Sequence, residues 1–289
     1  MAFNNPCAVN LVPVEQGPFH HVLPGTQSLS IATAGCNLRC QYCQNWETAQ
    51  KRPDETRNLD LDAESAVREA MKNDCRVITF TYTEPVVYSE YLESVSDLAR
   101  AKGFRFTVCS ALYIHKEPLK RIAKKVDAFC GALKAFNDAF YQKVCGVKLA
   151  PVLDALVTVK ESKKWLEVVN LVVPGLNDDL TEIKKLCDWH VKNLGKDTPL
   201  HFARFTPAWK FQDLPATPHR TLEDARKVAQ DAGIEYAYIS NCPGHEGANT
   251  YCPGCKQLLI RRLGLRVTEN KLKSGACPKC HHLVSGWWR

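Results

Sequence analysis

Three cysteines, Cys36, Cys40 and Cys43, stand in a Cys-x3-Cys-x2-Cys run directly after Gly35. Thiolate sulfur is the preferred protein ligand of iron–sulfur clusters, and a four-iron cube normally takes four of them. Three in one short loop therefore predict a [4Fe-4S] cluster with one iron left open for a small molecule, which makes a catalytic site rather than an electron carrier. The other readings are a structural zinc site, whose nearest further ligands are His20, His21 and Cys75, or chance clustering. Four more cysteines form two Cys-x2-Cys pairs, Cys252/Cys255 and Cys277/Cys280, separated by 21 residues. Such pairs can converge on one tetrahedral Zn²⁺ in a ribbon, a closed and hence structural site, with a second iron–sulfur cluster as the alternative. The remaining seven, Cys7, Cys75, Cys109, Cys130, Cys145, Cys187 and Cys242, read as small buried apolar residues. His245-Glu246 could position substrate or transfer a proton, or could form a plain turn between Gly244 and Gly247.

These residues need a scaffold, and the chain alternates strand-like with helix-like segments. Strands are expected at 29–33, 77–82, 104–109, 126–133, 168–173, 200–205 and 234–240, where apolar, β-branched and aromatic residues concentrate. Helices are expected between them. One carries Tyr88, Tyr91, Leu92, Val95, Leu98 and Ala99 and stops at Gly103; another is opened by a Thr221-x-x-Asp224 box and closed by Gly233. Repeated strand–helix–strand units give a parallel sheet with helices outside, an α/β fold with ligands at the C-terminal ends of the strands. Seven strands are too few for a closed eight-fold barrel, which leaves an incomplete (β/α)6-7 TIM-like barrel or an open doubly wound sheet, followed by a small C-terminal zinc ribbon. The composition shift near Gly247 places the barrel at 1–246, with 1–27 as lead-in, and the ribbon at 247–289.

Composition excludes other classes. At 289 residues with 45% hydrophobic and 24% charged, the chain is neither disordered nor fibrous. No apolar run reaches membrane-spanning length and the first residues lack the layout of a signal peptide, so a cytoplasmic protein without a membrane partner is expected. The net charge of +7 lies entirely in the tail, where eight basic residues face one acid from Cys252 onward. The barrel is balanced, and nucleic acid is not its expected partner.

The run Gly35-Cys36-Asn37-Leu38-Arg39-Cys40-Gln41-Tyr42-Cys43-Gln44-Asn45-Trp46-Glu47 resembles the signature of radical S-adenosylmethionine (SAM) enzymes. With Thr81-Tyr82-Thr83-Glu84-Pro85 and 243–252 (PGHEGANTYC), it is similar to the AmmeMemoRadiSam system radical SAM enzymes, relatives of the pyruvate formate-lyase activating enzymes. The resemblance runs from about Leu23 onward. It implies that the open iron chelates SAM, that one electron cleaves the sulfonium, and that the resulting 5′-deoxyadenosyl radical takes a hydrogen atom from a substrate. It implies that Tyr42 packs on the adenine and that Thr83, Glu84 and Pro85 hold the amino group. Lys134 would approach the carboxylate, His201 the nucleoside and Gly175 the adenine. Where relatives carry Asn-Gly this chain has Ser110-Ala111, and Ala132 replaces an aspartate; Ser110 keeps one hydrogen-bonding group. The implied partners are a flavodoxin- or ferredoxin-type reductant and a glycyl-radical protein or other polypeptide substrate. The competing class is a zinc-ribbon interaction or nucleic-acid-binding protein on a barrel that has lost SAM chemistry.

Overall fold

Each segment expected as a strand forms one in the computed structural model, which describes residues 1–288. They are β2 (Gln27–Ala32), β3 (Val77–Phe80), β4 (Arg105–Ser110), β5 (Ala128–Ala132), β6 (Trp165–Val172), β7 (Leu200–Arg204) and β8 (Ala237–Ser240), all parallel and hydrogen-bonded in sequence order. An unexpected β1 (Ala8–Pro13) adds antiparallel to β2, pairing Ala8 with Ala32 and Pro13 with Gln27. Its half-exposed, non-alternating pattern carries little strand signal, and a terminal proline suits an edge. The sheet order runs from β1 to β8 without closing.

Helices Ala63–Lys72, Ser89–Ala101, Lys116–Lys125, Ala150–Glu161, Leu180–Leu194 and His219–Asp231 lie between the strands. The last begins two residues before the expected Thr221, because Pro218, fixed at φ −61°, already occupies the capping position. Their buried faces, including Tyr91, Leu92, Ile122, Leu156 and Ala225, pack with Phe80, Phe106, Phe129, Val168 and Phe202 of the strands. None of the helices among the described residues is long and apolar enough to cross a membrane.

The other face of the sheet mixes polar with apolar side chains. Ser28 Oγ meets Thr79 Oγ1 at 2.6 Å and Thr79 meets Thr107 Oγ1 at 2.8 Å across three neighbouring strands. Residues of β2, β4, β5, β6, β7 and β8 from this face line one cavity, which requires the open sheet to curve. Beneath it, fully buried Glu167 accepts hydrogen bonds from His20 N, His21 N, His201 Nε2 and Trp165 Nε1 at 2.9–3.1 Å. Burial opposes its charge, but these donors prevail and hold its carboxyl below the usual range.

The tail forms a three-stranded sheet of β9 (Thr250–Tyr251), β10 (Leu258–Leu263) and β11 (Arg266–Asn270), in the order β11-β10-β9. Leu259, Ile260 and Val284 bury against Tyr236 and Tyr238 beside β8. Arg262, with no side-chain exposure, donates to Ala248 O, Thr250 Oγ1 and His20 O at 2.8–3.0 Å and stands 3.7 Å from Glu15 Oε1. Trp287 exchanges backbone hydrogen bonds with His21 and Leu23, both 2.7 Å.

Removing one member of a buried ion pair leaves the other uncompensated, at about 3–5 kcal/mol. Arg262→Ala is therefore expected to lower the unfolding free energy by about that amount in a urea titration and to loosen the tail. Burial also holds His21 and His190 down at about 4. As pH falls from about 6.5 towards 4, their unfolded imidazoles gain protons that the folded ones refuse. Each then contributes a loss of roughly 1.4 kcal/mol per pH unit over that window, which denaturation at stepped pH would measure.

Candidate active site and metal centre

The loop after β2 leaves the strand through Gly35, whose φ of +107° favours glycine. Its backbone is held by distant segments: Arg39 N donates to Cys145 O at 2.8 Å, Gln41 N to Val144 O at 2.9 Å, and Lys210 N to Gln41 O at 3.0 Å. Cys36, Cys40 and Cys43 thereby line one cavity of about 660 Å³ with Tyr42, Thr83, Glu84, Ser110 and Lys134. Burial pushes the Cys36 thiol up to about 12, whereas a hydrogen bond from Cys145 draws Cys40 below the ordinary thiol range. Cys145 was expected to be an ordinary core residue. It is buried, as expected, but sits beside Cys40 and 3.8 Å from the Tyr42 hydroxyl, a neighbourhood its isolated position in sequence does not signal.

Glu84 is the buried carboxylate of this cavity. Ser110 Oγ donates to it at 2.5 Å, Ala111 N at 2.8 Å and Val86 N at 3.3 Å. Burial raises its pKa against those three donors. The substitution of Ala111 thus leaves a backbone donor in use. Lys134, half-buried, is opposed by burial, but the surrounding thiols of Cys40, Cys145, Cys36 and Cys43 raise its pKa. Thr83 Oγ1 donates to Thr33 O at 2.6 Å, and Pro85 is buried immediately behind Glu84. Tyr82, Leu112 and Asn241, which follow β3, β4 and β8, all adopt positive φ (65°, 54° and 58°). Such strain at the C-terminal ends of strands is sustained by surrounding contacts and concentrates at functional sites.

Other expected residues lie elsewhere. His201 is buried between Glu167 and Ser240 Oγ, at 2.9 and 3.2 Å, rather than in the cavity wall. Gly175 is in a turn, its N–H donating to Asp178 Oδ1 at 2.9 Å. His245 Nδ1 accepts from Gly247 N at 2.9 Å and its Nε2 lies 3.3 Å from Glu223, while Glu246 is exposed. Neither lines the cavity. Conversely, Glu15 and His20 of the lead-in and Gly264 and Leu265 of the tail turn do line it, although nothing local in the sequence marks them.

In the tail, the sulfurs of Cys252, Cys255, Cys277 and Cys280 all lie within 4.8 Å of one another. Cys252 and Cys280 are 3.5 Å apart, and Cys255 and Cys277 3.6 Å. A tetrahedron with 2.3 Å metal–sulfur bonds needs sulfurs roughly 3.8 Å apart, so the group can hold a metal ion. Cys280→Ser is expected to remove the tail metal and lower the melting temperature while leaving iron in place, as elemental analysis and a thermal scan of one preparation would show.

A family model described as the radical SAM superfamily matches residues 30–188. An uncharacterized protein of Methanocaldococcus jannaschii is 43% identical over 282 residues, covering 97% of this chain and 84% of its own. The pyruvate formate-lyase-activating enzyme of Streptococcus mutans is 25% identical over 171 residues; the match covers 55% of this chain and 64% of that enzyme, under two thirds of its length. Among solved structures, Streptococcus suis SuiB bound to precursor peptide SuiA aligns with a TM-score of 0.59 at 13% identity, over 79% of this chain and 51% of that one.

Proposed function

The chain belongs to the radical SAM superfamily, and from that premise we propose an incomplete (β/α) barrel enzyme whose Cys36, Cys40 and Cys43 hold a [4Fe-4S] cluster beside bound SAM. When bound, that pair supplies one-electron cleavage of the sulfonium and hydrogen-atom abstraction from a substrate by the 5′-deoxyadenosyl radical. The observation that carries the reading is the single cavity in which the three cysteines meet Glu84, Lys134 and Tyr42. SAM brings an ammonium, a carboxylate and an aromatic base. Glu84 is an acceptor already oriented by three donors, Lys134 is a cation kept charged by the thiols, and Tyr42, buried near Phe140 and Phe211, offers a flat apolar surface. Thr83 and Pro85 fix the turn that presents Glu84, and Ser110 holds the carboxylate from the far side.

Several finer assignments accompany this reading. The motifs around the three cysteines, Glu84 and 243–252 favour the AmmeMemoRadiSam system branch. The tail metal is read as structural Zn²⁺, because four thiolates close the coordination sphere. Similarity to activating enzymes supports a polypeptide substrate and a flavodoxin- or ferredoxin-type donor in the cytoplasm.

Anaerobically prepared protein should contain about four irons and one zinc and release 5′-deoxyadenosine from SAM when given dithionite. Cys40→Ala should abolish both iron and product yet retain zinc. Glu84→Gln should keep iron but weaken SAM binding about 10–100-fold, the worth of a hydrogen bond to a charged group. Iron-loaded protein that neither binds nor cleaves SAM would refute the reading.

A further inference from the structure

Two polar side chains of the chamber wall have buried atoms without a hydrogen-bond partner among the described residues, Glu15 Oε2 and His20 Nδ1. Neither belongs to the cysteine loop or to the Glu84–Lys134 end. Buried polar atoms are nearly always paired, and an unpaired one costs about 1–3 kcal/mol. Two of them in one cavity wall, on residues only 2% and 5% exposed, mark a place shaped for an occupant.

Both residues are fixed from behind. Glu15 Oε1 accepts from Gly25 N at 2.9 Å and faces Arg262 at 3.7 Å. The His20 N–H donates to Glu167, its carbonyl accepts from Arg262, and its ring stands edge-on to His201 and Tyr238 with centroids 4.7 and 4.6 Å away. The groups packed against Glu15 and His20 behind the wall are thus Arg262, Glu167, His201 and Tyr238.

The pit's chemistry selects its occupant. Burial outweighs the nearby Arg262 and raises the Glu15 carboxyl to about 7, and burial keeps the His20 imidazole neutral, well below its ordinary range. Lys134, at the cysteine end, is the one lysine or arginine among the lining residues, so a phosphate-bearing ligand would meet no counter-charge here. The wall between the two ends is mostly apolar, with Val169, Leu171 and Ile239, and the tail turn contributes the partly exposed Leu265. An amide meets these conditions: its N–H satisfies a carboxylate oxygen, its carbonyl an imidazole N–H, and it adds no net charge.

We propose that Glu15 and His20 form the substrate subsite of this chamber and that it takes an uncharged amide of a polypeptide substrate, beside the tail turn Gly264–Leu265. The assignment rests on reading the chamber as a radical SAM active site. It is tested without turnover, so that each can fail separately. Cluster-loaded, SAM-bound protein without reductant is titrated calorimetrically with N-acetylglycinamide, and with acetate and methylammonium as charged counterparts. The amide is expected to bind at least about tenfold more tightly than either ion, and His20→Phe and Glu15→Ala each to weaken it about tenfold or more, with iron content matching the wild type. Absence of amide binding, equal binding of the ions, or amide binding that survives both substitutions overturns the subsite. Should either variant misfold, saturation-transfer NMR on the wild type decides: probe contacts to the His20 ring support the assignment and contacts confined to other residues overturn it. A protein that binds the amide here but fails to cleave SAM would sink the proposed reaction alone.

Discussion

A carboxylate with no access to solvent must be surrounded by donors or give up its charge. Glu167 meets that constraint on the inner face of β6, where each of its oxygens accepts two hydrogen bonds, one of the two always from the backbone of the lead-in. This ties residues 20–21 across the curved sheet. The tail is then tied to the lead-in through Arg262, the His21 ring and Trp287. A sheet that does not close on itself thus obtains a floor from the two ends of the chain. These charge-assisted hydrogen bonds act together with packing of Phe19, Val22 and Leu23 against Val77, Ala128 and Cys130.

The cysteine loop depends on a similar economy. Its own residues make few regular hydrogen bonds, so the segments at 144–145 and 210 supply partners for its backbone. This leaves the three thiols at one end of a cavity whose opposite end is the floor. Glu84 and Lys134 face each other's influence between the two, both raised in pKa for different reasons: burial disfavours the carboxylate, whereas a ring of thiols favours the ammonium over its own burial penalty. Electrostatics at this end is therefore local, in accord with the balance of formal charges before Cys252.

The parallel strands, the helices of Ser89–Ala101 and His219–Asp231, and the two cysteine groups were legible in the sequence because each is encoded over a short span: apolar runs, 3.6-residue periodicity and fixed Cys spacing. Gly35 was legible for the same reason, as the exit of a strand, whereas Glu84 and Ser110 were singled out through the family resemblance. β1 was not, since an edge strand half in solvent lacks alternation. Only the tertiary structure decided that His201 serves Glu167, that Cys145 stands beside Cys40, and that Glu15, His20 and Leu265 complete the chamber. Those placements arise where segments remote in sequence meet, as Arg262 meets His20 across 242 residues. A short-range pattern carries the periodicity of one element, but it carries no record of which remote group will neutralise a buried charge.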